Sequence, residues 1–403
     1  MPLSSKGKFR ISAAAAMGLP VLFIINMMND DLMEQQRAAP RPLPTYAAGN
    51  PLGYNQARPF QDYGPPLWGG VGSGVNAPLS REEFRSHFMF GSDVIDQVLD
   101  SIKLPSTIGR LVTTFPYRFD ATGQAIRWVT PHSALLVFLK RMRTRGSVLV
   151  HLQSFFGRSV GWISEVFNAV VMWLKLKWFG TKIDKLDSRV FNRWRLQDYA
   201  DCLWRNGFWL PGVVGFVDGT FHSTYRPGAD GYDGALQRAF YSGAKKGHGL
   251  VFEMITFADG MIGRAFGPVA GRHHDLYLAA QSGLRHLIEF GSLRGFRLFG
   301  DKAYVGFGDL VLHPFIGALE GSIQAAWNTY TSAYRIEVEH NIGNIYMRCA
   351  ILQREMCLDI EIPEEWFKAG VLLQNIHTCV YRGNQTALRF GMPPPWLSEY
   401  MQE

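Results

Sequence analysis

Apolar residues recur at helical spacing in the first half of this chain and in short, near-continuous runs from Val213 onward. Ser80 followed by Glu83 is a capping box, which predicts a helix in REEFRSHFMFG; a second, SDVIDQVLDSIK, is ended by Pro105. Pro131 with HSALLVFLKRMRTRG predicts a helix ended by Gly146, and SVLVHLQSFFG a short one ended by Gly157. Ser159 caps a third, whose apolar positions Val160, Ile163, Val166, Phe167, Val170, Val171 and Leu174 share a face. DSRVFNRWRLQDYADCLWRNG is a further helical segment. The pattern then changes. VVGFV reads as a strand buried on both faces and closing on Asp218. GHGLVFEMITFAD and MIGRAFGPVAG are two more strands, joined at the turn signal Asp259-Gly260, and FRLFG is a fourth, closing on Asp301. DLYLAAQSGLRHLIEFG, SAYRIEVEHNIGNIYMRCAILQR and EEWFKAGVLLQNIHTCVYRG read as helices, the last with an apolar stripe that should lie on the sheet.

This order predicts four regions. Residues 1–79 form an arm, dense in Pro, Gly and aromatics from residue 37 and extended there. Residues 80–210 form a helical domain, in which three short helices over 131–179 fit a helix-turn-helix as well as a plain helical bundle. Residues 211–392 form an α/β domain resembling the ribonuclease H fold, and 393–403 a tail.

Composition narrows the function little. The chain has 403 residues, 47% hydrophobic and 19% charged, which describes a folded protein. A net charge of +7 is compatible with a polyanionic partner without requiring one. No run reaches the roughly 18 apolar residues of a membrane span. The nearest, residues 13–28 after Lys6, Lys8 and Arg10, resembles a secretory or mitochondrial leader, but Pro20 interrupts it and it reads better as part of the arm. Cys202, Cys349, Cys357 and Cys379 have no zinc-ligand spacing and read as free thiols.

The acids are more informative. Two strand-end aspartates, Asp218 and Asp301, with a helical glutamate are the donor set of two-metal phosphodiester chemistry. Carboxylate ligands favour Mg²⁺ or Mn²⁺. Arg335 and Glu339 are four apart and share a helical face with Gly343, where a close approach by another element would account for the glycine; Glu337 points elsewhere. His273, His274 and Asp275 form a further group, open to a zinc reading, in which Asp275 is otherwise a helix cap.

Four blocks in order resemble those of the PIF/Harbinger transposases and Harbinger transposase-derived nucleases, a DDE superfamily endonuclease group: Val217-Asp218-Gly219-Thr220, Gly271-Arg272-His273-His274-Asp275, Gly300-Asp301-Lys302-Ala303-Tyr304, and Arg335 through Glu339 to Gly343. Val371-Leu372-Leu373-Gln374-Asn375-Ile376 resembles a late helix of that family, and the helix-turn-helix candidate sits where the family has one. The chain departs from the family pattern at Ile342 and His340. The resemblance implies a catalytic triad and metal set of Asp218, Asp301 and Glu339, with Glu337 the alternative third acid and Asp275 and Arg335 in support. It implies two divalent ions, cleavage and joining of double-stranded DNA at transposon ends, a homo-oligomer and a Myb-like accessory protein; the DNA substrate in turn implies the nucleus, with the cytoplasm as a further location. Lys140, Arg141, Arg143, Lys245, Lys246, Arg272 and Lys302 are candidate DNA contacts. The alternative is a domesticated, catalytically silent DNA-binding protein.

Overall fold

A computed structural model describes residues 79–105, 129–145, 149–227, 234–273, 275–353, 355 and 361–403. The expected arm, except its last residue, lies outside the described residues, as do the leader-like stretch, His274 and Cys357.

The capping box forms as its residue types dictate. Ser80 Oγ accepts the Glu83 N–H at 3.2 Å, Glu83 Oε2 accepts the Ser80 N–H at 2.9 Å, and helix α1 (Arg81–Phe88) begins there. Helices α2 (Ile95–Ile102), α3 (Pro131–Met142), α4 (Leu149–Phe156) and α5 (Val160–Leu174) follow, with Thr130 and Ser159 capping α3 and α5. α5 runs on through a wide turn, Lys175–Phe179, and the indole N–H groups of Trp173 and Trp178 both donate to the Ile102 carbonyl, at 3.2 and 3.0 Å. Its outward positions, Gly161, Glu165, Asn168 and Met172, carry no basic residue. Helix α6 (Arg193–Arg205), capped by Asn192, leads into the sheet.

Six strands make that sheet: β1 (Val213–Ser223), β2 (Tyr241–Ser242), β3 (Gly247–Phe257), β4 (Ile262–Ala270), β5 (Arg297–Phe299) and β6 (Val311–Leu312). β2 and β4 pair with β3, which pairs antiparallel with β1; β5 and β6 continue the sheet in parallel on the other side of β1. The hairpin expected at Asp259-Gly260 is present, with Gly260 at φ 75°. Helices flank the sheet: α7 (Ala235–Phe240), α8 (Asp275–Gln281), α9 (Leu284–Glu289), α10 (Ile323–Arg348), α11 (Glu361–Val380), α12 (Gln385–Phe390) and α13 (Leu397–Tyr400). The expected stripe on α11 is buried, and Phe367 stacks on Phe252 of β3 with ring centroids 4.1 Å apart. One contiguous hydrophobic core joins Phe84 of α1 to Met401 through both the helical region and the sheet.

Four expectations change. β1 does not close on Asp218 but continues to Ser223, because β3 stays paired with it as far as Ser223↔Gly249. The helix expected after Asp275 is two helices, broken where Gly283 adopts φ 68°. α10 starts well before Ser332, at a cap from Ser322, and a Cβ at Gly343 would meet no atom, so no close approach accounts for that glycine.

Candidate active site

Asp218 lies where β1 loses its parallel neighbour. The last β1–β5 pair is Phe216↔Phe299, and Asp218 and Asp301 each lie two residues further on. Asp218, inside β1, and Asp301, just past the end of β5, thus sit at matching register on adjacent parallel segments. Asp218 Oδ1 accepts the Gly219 N–H at 2.9 Å. Asp301 Oδ1 accepts the Ala303 N–H at 2.8 Å and caps the short 3₁₀ helix Lys302–Leu310. Gly300 is required beside it, since a Cβ there would sit 2.7 Å from the ring of buried Tyr304, and this gives the Gly-Asp-x-x-Tyr block a steric origin.

The third element is α10. Arg335 Nη1 lies 3.2 Å from Asp218 Oδ2, and its Nη2 lies 2.6 Å from Glu339 Oε1. One guanidinium therefore joins the strand acid to the helix acid, using the predicted i,i+4 spacing. Glu337 turns the other way. Its side chain is 2% exposed, ion-paired with Arg389, and accepts the Thr386 hydroxyl at 2.8 Å. Thr386 and Arg389 went unnoticed in the sequence because their partner lies 49 and 52 residues away, at no helical or strand period. A second polar group also escaped notice. His222, four residues beyond Asp218, places Nδ1 3.2 Å from the Tyr346 hydroxyl. Burial pushes the imidazole down to about 4 and the phenol up to about 12, so both are neutral near pH 7.

Among the described residues no three His, Cys, Asp or Glu side chains are grouped as a metal site. The fit to a divalent cation is one of kind. Asp218, Asp301 and Glu339 are hard oxygen donors, and the Arg335 guanidinium is a cation already held between two of them.

The candidate DNA contacts divide into groups. Lys302 is exposed beside Asp301. Lys245, Lys246 and Arg272 are exposed together at the far end of the sheet, where the Arg272 N–H donates to Ala239 O. Met254, the partner of Asp218, lies eight positions along the chain from Lys246, which is about 25 Å of strand. Arg141 is 5% exposed and lies over the Trp366 ring. Arg143 donates to Ser86 O at 3.1 Å. Lys140 lies 2.6 Å from His87 Nδ1 and over the Phe155 ring. The side chain of Asp275, which opens α8, lies outside the described residues, and His273 stacks on Tyr277 at 3.8 Å.

Burial, then the charge of Arg143, lowers the Lys140 ammonium to about 8. Between that value and an unfolded pKa of about 10.4 the unfolded chain holds the extra proton, so stability rises with pH across this window. Urea unfolding at pH 7.5 and pH 10 should show Lys140→Met removing part of the wild-type rise. An identical rise in the variant would count against a lowered Lys140 ammonium.

No curated protein and no solved structure matches the chain. A family model described as a DDE superfamily endonuclease matches residues 217–375. That span begins one residue before Asp218 and contains Asp301, Arg335 and Glu339, and it is consistent with a place for this α/β domain in the DDE superfamily.

Proposed function

We propose that the chain is a divalent-metal-dependent DNA endonuclease of the transposase type, built on a ribonuclease H-like domain. The observation that carries this reading is the meeting of Asp218 and Glu339 on one guanidinium, with Asp301 two residues past the end of the neighbouring strand β5. Asp218, Asp301 and Glu339 would hold two Mg²⁺ or Mn²⁺ ions, which when bound supply an activated water and neutralise charge on the scissile phosphate. Arg335 holds the two carboxylates in reach of one another. Lys302, exposed beside Asp301, is positioned to take a DNA phosphate. Asp301, held by the backbone N–H of Ala303, keeps a fixed orientation while the helix-borne Glu339 adjusts. Double-stranded DNA at a transposon end is the proposed substrate, a homo-oligomer with a Myb-like accessory protein the proposed assembly, and the nucleus the proposed location. The first three follow from the Harbinger resemblance and the last from the DNA substrate.

The same guanidinium favours a second reading. Because Arg335 already satisfies Asp218 and Glu339, a silent DNA-binding descendant with the acids locked would keep this arrangement. Nicking of supercoiled plasmid by the purified chain in Mn²⁺ separates the two, since a silent protein binds DNA and leaves it intact at every Mn²⁺ concentration.

The two glutamates of α10 should part cleanly in that assay. Glu339→Gln, at a half-exposed side chain, abolishes nicking and leaves the melting temperature unchanged. Glu337→Gln takes the charge of a buried carboxylate from its partly exposed partner Arg389 and lowers the melting temperature. The opposite assignment of the two effects would make Glu337 the third acid.

A further inference from the structure

A pocket of about 440 Å³ opens on the face made by α1, the C-terminal ends of α3 and α10, and α11. Three guanidiniums line it: Arg85, Arg143 and Arg348. Their hydrogen-bond and ring partners are neutral. Arg85 lies 4.5 Å over the Tyr381 ring. Arg143 donates to the carbonyls of Ser86 and Arg348. Arg348 donates to the Gln374 amide oxygen at 2.6 Å. Among the described residues no carboxylate forms an ion pair with any of the three; Glu83 is committed to the Ser80 cap, and Glu82 lines the rim. Cys349 lies behind them as a neutral thiol, which burial pushes up to about 12.

The ends of helices α3 and α10 account for Arg143 and Arg348 one at a time, since a helix C-terminus favours a cation. They do not account for Arg85, nor for the three converging. Burial, and then the charge of Arg85, holds both Arg143 and Arg348 below the usual guanidinium range, the direction expected of partly buried cations held near a third one. A fourth group lines the same pocket. His377 is 6% exposed, and among the described residues its Nδ1 has no hydrogen-bond partner.

We propose that this pocket is a binding site for a phosphate group, held by Arg85, Arg143 and Arg348 with His377 as a further hydrogen-bonding group. Forked guanidiniums match phosphate oxygens two at a time, and an orphaned buried nitrogen gains a partner when an anion enters. The phosphate belongs either to a DNA backbone crossing this face or to a free polyphosphate. The site lies away from the acids: Arg348 is nine residues beyond Glu339, about 13 Å along α10.

The test uses the full chain without divalent metal, so it does not depend on the nuclease reading. Calorimetry with tripolyphosphate is run beside duplex-DNA anisotropy from 50 to 200 mM salt, for wild type, Arg85→Gln, Arg143→Gln and the exposed control Arg145→Gln. A DNA phosphate in the pocket is shown by a log K against log salt slope that falls by about 0.9 in Arg85→Gln and stays unchanged in Arg145→Gln. A free polyphosphate is shown by wild-type binding of tripolyphosphate that weakens at least tenfold in Arg85→Gln, with duplex affinity preserved. Arg143→Gln repeats whichever effect is seen. The proposal is overturned if Arg85→Gln and Arg143→Gln melt as wild type and change neither measurement, or if Arg145→Gln matches their effect.

Discussion

Asp218→Asn lowers Mn²⁺-supported plasmid nicking at least about 100-fold, the scale attached to groups that hold a catalytic metal in place. The substitution isolates chemistry from folding. Asparagine keeps the size of the side chain and an oxygen for the Gly219 N–H, which Asp218 Oδ1 accepts at 2.9 Å. What disappears is the charge facing Arg335 at 3.2 Å. Arg335 retains Glu339, so α10 keeps its partner. The variant should therefore melt like wild type and bind duplex DNA with the same salt dependence while failing to nick. Nicking within a few-fold of wild type would remove Asp218 from the metal set and with it the proposed chemistry.

Asp259→Asn has the largest expected effect on stability. Asp259 is fully buried at the β3–β4 turn and accepts Arg195 Nη2 at 2.7 Å, the Tyr199 hydroxyl at 2.6 Å and the Met261 N–H at 3.0 Å. Three donors converge on one carboxylate, and an amide offers them one oxygen. The Met261 bond survives, but the guanidinium and hydroxyl lose the anion they face. Breaking a buried pair in this way costs about 3–5 kcal/mol, which for a domain of this size lowers the melting temperature by roughly 10 °C. Thermal unfolding followed by circular dichroism decides it. A variant melting together with wild type would mean that the network contributes order without stability.

Much of this was legible in the sequence because it is local. Caps at Ser80 and Ser159 and the Asp259-Gly260 turn follow from side chains reaching their own backbone a few residues away. The Arg335–Glu339 pair follows from helix spacing. What stayed hidden depends on partners from elsewhere. β1 runs past Asp218 because β3 holds it, which no property of Asp-Gly-Thr announces. The basic run at 140–145 reads as a surface, yet Arg141 lies over the ring of Trp366, 225 positions along the chain, and Lys140 against His87. The convergence of Arg85, Arg143 and Arg348 comes from three segments whose spacing carries no pattern.

The large core that joins the helical region to the sheet also bears on inheritance. The matched span of 217–375 is shorter than the piece that is physically self-sufficient. Asp259 takes its cation from Arg195, before the span, and Glu337 takes its own from Arg389, after it. Asn384, also outside, donates to Gly260 O and to Asn341 Oδ1, each at 2.9 Å. A gene rearrangement that carried only the matched span into a new host protein would deliver buried carboxylates stripped of their counter-ions. The heritable cassette is therefore longer than the recognisable motif: fusions or duplications that keep this fold must transfer the flanking helices with it.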